Sequence, residues 1–169
     1  DAMKTVCDIK GGCEFALYLG DNFYDTGVDT VDDSQFESKF ELPYANLDFT
    51  FYVVLGNHDY GALSVSSRKA AFEVLYHDRS ARWYMPDRYY KVSHEHVDFF
   101  ALDTNQFMVG SLMLDIDSDD QALWFDQNVN TSSAQWKIAL GHHPYRSNGS
   151  HGNAGEYEGS RRLSLASGK

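Results

Sequence analysis

Three short apolar runs in this chain end in the same way, and that repetition constrains the fold more than any other feature. Phe15-Ala16-Leu17-Tyr18-Leu19 runs into Gly20-Asp21. Phe51-Tyr52-Val53-Val54-Leu55 runs into Gly56-Asn57-His58-Asp59. Trp136 to Leu140 runs into Gly141-His142-His143-Pro144. Each run has the length of a strand, and the second is apolar throughout, as a strand covered on both faces is. Each is followed by glycine and then by a side chain that can hold a metal ion. Open α/β sheets place their ligands at strand ends of this kind. A lone Gly-Asp pair is ordinarily a turn. Tyr24 follows Asp21 by three residues and lies within reach of the same point, so the three loops together read as one site.

The chain of 169 residues is long enough for one core and one domain. Its 43% hydrophobic and 23% charged residues are an ordinary globular balance, and 15% aromatics suits a sheet-rich core. The net charge of −11 argues against a nucleic-acid-binding surface. It also repels phosphate esters, so an anionic substrate needs a local positive centre, which bound metal ions supply. No apolar run approaches the length of a transmembrane helix. The chain begins at Asp1 rather than an initiator methionine, so the absence of a signal peptide says little. Cys7 and Cys13 flank Gly11-Gly12; they read either as a disulfide, implying an oxidising compartment, or as free thiols. The sequons at Asn130 and Asn148 have meaning only in a eukaryotic secretory pathway.

In chain order, Met3, Val6 and Ile9 give a short helical face ending at Gly11-Gly12. Phe36, Phe40 and Leu42 suggest a second helix, capped by Asp33 or Ser34 and closed before Pro43. Ser66 to His77 reads as a helix with Ala70, Ala71, Val74 and Leu75 inward, and Arg82 to Pro86 as an aromatic loop. Residues 89–92 and 97–102 read as a hairpin whose tip carries His94 and His96, two histidines expected to be solvated. Ser118 to Val129 reads as a helix with Leu123, Trp124 and Val129 inward and a capping box from Ser118 to Gln121. A Gly/Ser/Asn-rich loop follows Pro144 and holds His151, and a helical start precedes Lys169.

Gly-Asp-x-x-Tyr, then Gly-Asn-His-Asp, then a strand ending in Gly-His is the motif order of metallophosphoesterases, and the chain resembles that superfamily over nearly its whole length. The tyrosine and the short spacing resemble the small, tartrate-resistant type of purple acid phosphatase. Leu102-Asp103-Thr104 and Ser150-His151-Gly152 resemble it too. The resemblance implies an α/β fold, a metallophosphoesterase-like β-sandwich flanked by helices. Residues 1–169 then form a single partial domain, because the family's opening Gly-Asp-x-Gly and closing Gly-His-x-His are not in this sequence.

The resemblance also implies roles. Asp21 bridges two metals, Tyr24 binds one as phenolate, and Asn57 and His142 bind the other; the expected cofactors are Fe(III) and a divalent ion, Fe, Zn or Mn. A phenolate is a hard anionic donor that suits Fe(III). Alternation along Ile138, Leu140 and His142 also selects His142 over His143, which is expected to be a loop residue. His58 faces the substrate, with Asp59 orienting it or its loop, and His151 binds phosphate or protonates the leaving alcohol. Taken alone, Tyr24 reads as a packed aromatic, Gly-Asn as a turn and His151 as an exposed loop residue. Asp103 is expected to serve structure.

The implied reaction is hydrolysis of phosphate monoesters by a hydroxide held between two metals. A phosphodiesterase or nucleotidase on the same fold is the alternative, as is a non-catalytic binding or scaffold relative. The partner is a small phosphate ester. The implied location is secreted, periplasmic or lysosome-like, and oligomeric state is left open. The span carries four of the family's seven expected ligands, so residues 1–169 alone are expected to be inactive.

Overall fold

The computed structural model describes residues 2–62, 66–108 and 118–149. His151 and the helical start before Lys169 lie outside the described residues. Helix α1 (Ala2–Ile9) leads into β1 (Phe15–Leu19). Strand β2 (Thr50–Val54) lies parallel to β1, with Phe15 opposite Thr50 and Leu19 opposite Val54. β3 (Trp83–Tyr84) pairs parallel to the other side of β2. The second sheet holds the antiparallel hairpin β4 (Tyr90–His94) and β5 (Val97–Ala101), with β6 (Trp136–Leu140) parallel to β5. Helices α2 (Ser67–Leu75), α3 (Asn105–Met108) and α4 (Ser118–Thr131) complete the two small sheets and their flanking helices. Cys7 and Cys13 form a disulfide that closes the turn between α1 and β1.

Within the aromatic stretch expected to be a loop, Trp83–Tyr84 forms the short strand β3, and Trp83 is the hub of the core. Trp83 is fully buried and meets the rings of Tyr18, Phe23, Phe36, Phe40 and Tyr76. Its indole N–H donates to the Glu73 carbonyl at 3.0 Å, which satisfies the one polar atom this side chain brings inside. Two residues of strand are too short for alternation to register.

The segment expected to be a helix near Phe36 is wound as a π-helix, Phe36–Glu41. Asp33 does sit at its entrance, its Oδ1 accepting the Gln35 N–H at 3.0 Å. Phe36 and Phe40 are buried, but Leu42 is exposed. Leu42 follows Phe40 by two residues, roughly half a helical turn, and so faces away. In α2 Ala70 and Glu73 are buried, Ala71 and Val74 are half-buried, and Leu75 is exposed. In α4 the inward stripe is Gln121, Trp124, Phe125, Asn128 and Val129, at helical spacing, whereas Leu123 is exposed. Gln121 does not close a capping box. Its Oε1 accepts the Asp103 N–H at 2.8 Å, and its Nε2 donates to the Asp103 carbonyl and to Gln106 Oε1. At the hairpin tip, His96 is exposed as expected. His94 is not solvated; it stacks on Phe15 at 4.6 Å and meets the Tyr52 hydroxyl at 2.8 Å.

The hub position makes a stability prediction. Trp83→Ala removes a filled core site and is expected to cost about 3–5 kcal/mol, the usual range for a large aromatic deletion. Urea unfolding reads this directly, and an unchanged midpoint would contradict the assignment.

Candidate metal centre

The site begins where β1 and β2 end side by side. Gly20 has φ 89° and Asp21 φ 53°, so the chain leaves β1 through two left-handed residues. Glycine adopts that conformation freely, and aspartate is one of the few other residues that tolerates it. This turn brings Asp21 against the end of β2. A Cβ on Gly56 would overlap Asp21 N and Oδ1, so only glycine fits there. His58 N donates to Asp21 Oδ1 at 3.0 Å, which ties the second loop to the first.

The two carboxylate oxygens of Asp21 face different partners. The Tyr24 hydroxyl donates to Oδ2 at 2.5 Å. His142 Nε2 stands 3.3 Å from Oδ1. The other ring nitrogen of His142, Nδ1, lies 2.9 Å from the Leu19 carbonyl. A carbonyl accepts only, so Nδ1 carries the proton, and in the neutral ring Nε2 presents its lone pair towards Asp21. Tyr24 is exposed, and its hydrogen bond to Asp21 pushes its hydroxyl up to about 12. It therefore keeps its proton at neutral pH unless a strong cation replaces that proton.

His58 sits over Tyr24, with ring centres 4.3 Å apart, and its Nδ1 donates to the Asp25 carbonyl at 2.5 Å. Asp59 does not touch it. Asp59 is fully buried and holds the loop instead, with Gly56 N donating to Oδ2 at 2.7 Å and Phe23 N to Oδ1 at 3.1 Å. Asn57 is half-buried between Gly56 and His58, its carbonyl accepting Ala62 N at 3.0 Å. His143 is more than a loop residue. It is half-buried, its Nδ1 2.7 Å from Thr104 Oγ1. Burial, with His142 beside it, holds its imidazole down at about 4, so it is neutral at ordinary pH. Asp103 is fully buried in a frame of Tyr60, Asn105, Gln106 and Gln121.

The structure thus brings Asp21, Tyr24, His58 and His142 into direct contact and sets Asn57 in the adjoining turn. Among the described residues, no group of three or more His, Cys, Asp or Glu gathers as a metal site by itself. The donor set here is mixed: carboxylate, phenol, amide and imidazole. It fits a pair of cations on either side of Asp21, since the carboxylate offers one oxygen beside Tyr24 and the other beside His142. Sequence reasoning missed Asn22, Glu73, Thr104 and the Asp25 carbonyl. A polar residue outside the metal-ligand motifs and a backbone carbonyl leave no such signal in sequence.

The contact at Gly56 can be tested by substitution. Gly56→Ala forces an extra methyl against Asp21 and is expected to cost about 1–3 kcal/mol, the range for overpacking. Denaturant unfolding is the readout, and a neutral effect would mean that the two loops are not in contact.

The chain is similar to known phosphoesterases over nearly its whole length. The family description Calcineurin-like phosphoesterase matches residues 4–166. The chain is 33% identical to Purple acid phosphatase 17 of Arabidopsis thaliana, over 85% of this chain and 46% of that protein. It is 30% identical to Purple acid phosphatase 7 of the same plant, over 82% of this chain and 46% of that protein. It is 28% identical to Tartrate-resistant acid phosphatase type 5 of Homo sapiens, over 83% of this chain and 47% of that protein. The chain spans a little under half the length of these curated relatives. On the strength of the match across residues 4–166, the chain belongs to the calcineurin-like phosphoesterase family.

Proposed function

We propose that the protein to which this chain belongs hydrolyses phosphate monoesters at a dinuclear metal centre of Fe(III) and a divalent ion, Fe, Zn or Mn. The observation that carries the reading is the pair of contacts on Asp21, Tyr24 on one carboxylate oxygen and His142 on the other. Two such ions would clamp a phosphoryl group and lower the pKa of a bound water. Asp21 would bridge, Tyr24 would complete the iron side, and Asn57 and His142 would hold the divalent ion. His142 is oriented for that task by the Leu19 carbonyl. His58, fixed by the Asp25 carbonyl, presents its remaining ring nitrogen to a phosphate oxygen. His151, outside the described residues, is assigned the leaving alcohol as general acid. The net charge of −11 makes the metal charge the attraction for an anionic ester. The Cys7–Cys13 disulfide supports an oxidising location, secreted, periplasmic or lysosome-like.

The test uses the protein carrying both flanking segments, offered p-nitrophenyl phosphate and bis(p-nitrophenyl) phosphate in parallel. The monoester is expected to turn over faster. Tyr24→Phe is expected to abolish the visible charge-transfer band of an iron phenolate without unfolding the domain. A preference for the diester would move the reading to a phosphodiesterase. No turnover of either by protein with both metals bound would leave a binding relative.

A further inference from the structure

One buried acid takes no part in this chemistry. Glu73 is fully buried on α2. Its Oε2 accepts from Asn22 Nδ2 at 3.0 Å. Its other oxygen, Oε1, is buried with no hydrogen-bond partner. Glu73 also meets the Asp59 carboxyl, and as the neutral acid its O–H can donate to Asp59. Two carboxyls in contact inside a core do not both ionise, and burial pushes Glu73 well up. Asp59 then has four donors to satisfy its charge: the N–H groups of Gly56 and Phe23, Asn22 Nδ2 at 3.2 Å, and Glu73. Asn22 Nδ2 also reaches the Val54 carbonyl at 3.0 Å. Asn22 directly follows Asp21, and Asp59 lies two residues past Asn57.

We infer that Glu73 is a positioning residue for the metal centre: through Asn22 and Asp59 it fixes the separation between the loop carrying Asp21 and the loop carrying Asn57. This rests on the dinuclear reading of the site. A carboxylate bridge and an amide ligand serve one ion together only at a set spacing, and groups that orient ligands typically govern metal affinity by about 10–100-fold. Glu73 does so from α2 without touching a ligand itself.

The experiment compares Glu73→Gln and Glu73→Met in the protein carrying both flanks. Gln keeps a donor for Asp59 and an acceptor for Asn22; Met keeps volume and loses both. The first readout is amide hydrogen exchange of the metal-free protein. Glu73→Met is expected to speed exchange at Phe23 and Gly56 by about tenfold or more, with amides inside β2 unchanged. The second is retention of metal against a chelator, expected to fall about 10–100-fold in Glu73→Met and to return with Glu73→Gln. Uniform acceleration of all amides would reveal general packing only and overturn the inference. So would a Gln variant as impaired as Met, or a Met variant like the unaltered protein. If Glu73→Met fails to fold, Asn22→Ala takes its place under the same two readouts. An unaltered protein that holds no metal pair would sink the dinuclear reading, while the metal-free exchange data would still decide whether Glu73 fixes the loops.

Discussion

Everything at the site depends on two parallel strands ending at the same level. The register that sets Leu19 opposite Val54 delivers Gly20-Asp21 and Gly56-Asn57 to one point. The loops then approach so closely that no side chain fits on Gly56. Gly20 is nearly as constrained, since a Cβ there would lie 2.7 Å from His142 Nδ1. β6 brings His142 in from the second sheet, and its hydrogen bond to the Leu19 carbonyl joins the two sheets at the site. Away from the site, the Tyr90 hydroxyl makes a similar link by donating to the Val53 carbonyl at 2.8 Å.

Two buried polar frames hold these loops. One is made by Asp59, Asn22 and Glu73. In the other, Asp103 is bonded by the Tyr60 hydroxyl, by the side chains of Asn105 and Gln106, and through its backbone by Gln121. Asn105 Nδ2 also reaches the Leu55 carbonyl at 3.3 Å, just before Gly56. Buried carboxylates are costly unless every lone pair finds a donor, so such frames have few alternative arrangements. That is a physical reason for a loop to be rigid: its backbone donors are already committed to a buried acceptor. The exposed side chains, Tyr24 above all, are then the parts left free to meet a ligand.

Strand positions were legible because apolar runs and terminal glycines speak through short sequence windows. β1 and β6 have the bounds that the apolar runs suggest, and of the two histidines after β6 it is His142 whose Nε2 stands beside Asp21. The helix faces were less legible. Glu73 and Gln121 occupy inward positions that a count of apolar residues assigns to solvent, and both are inside because another buried polar group needs them. Trp83 was legible as aromatic but not as a strand, since its partner β2 lies some thirty residues earlier and pairing across that distance leaves no local pattern. The motif residues marked the site. The hydrogen bonds that aim them, from the Leu19 and Asp25 carbonyls, became visible only with the fold.

The most direct measurement is anomalous diffraction from crystals of the protein loaded with iron and the second metal, collected at the absorption edge of each. The account predicts two peaks about 3.5–4 Å apart on either side of the Asp21 carboxylate. The Tyr24 oxygen should lie on the iron and His142 Nε2 on its neighbour. A single peak, or a pair of peaks away from Asp21, would contradict it.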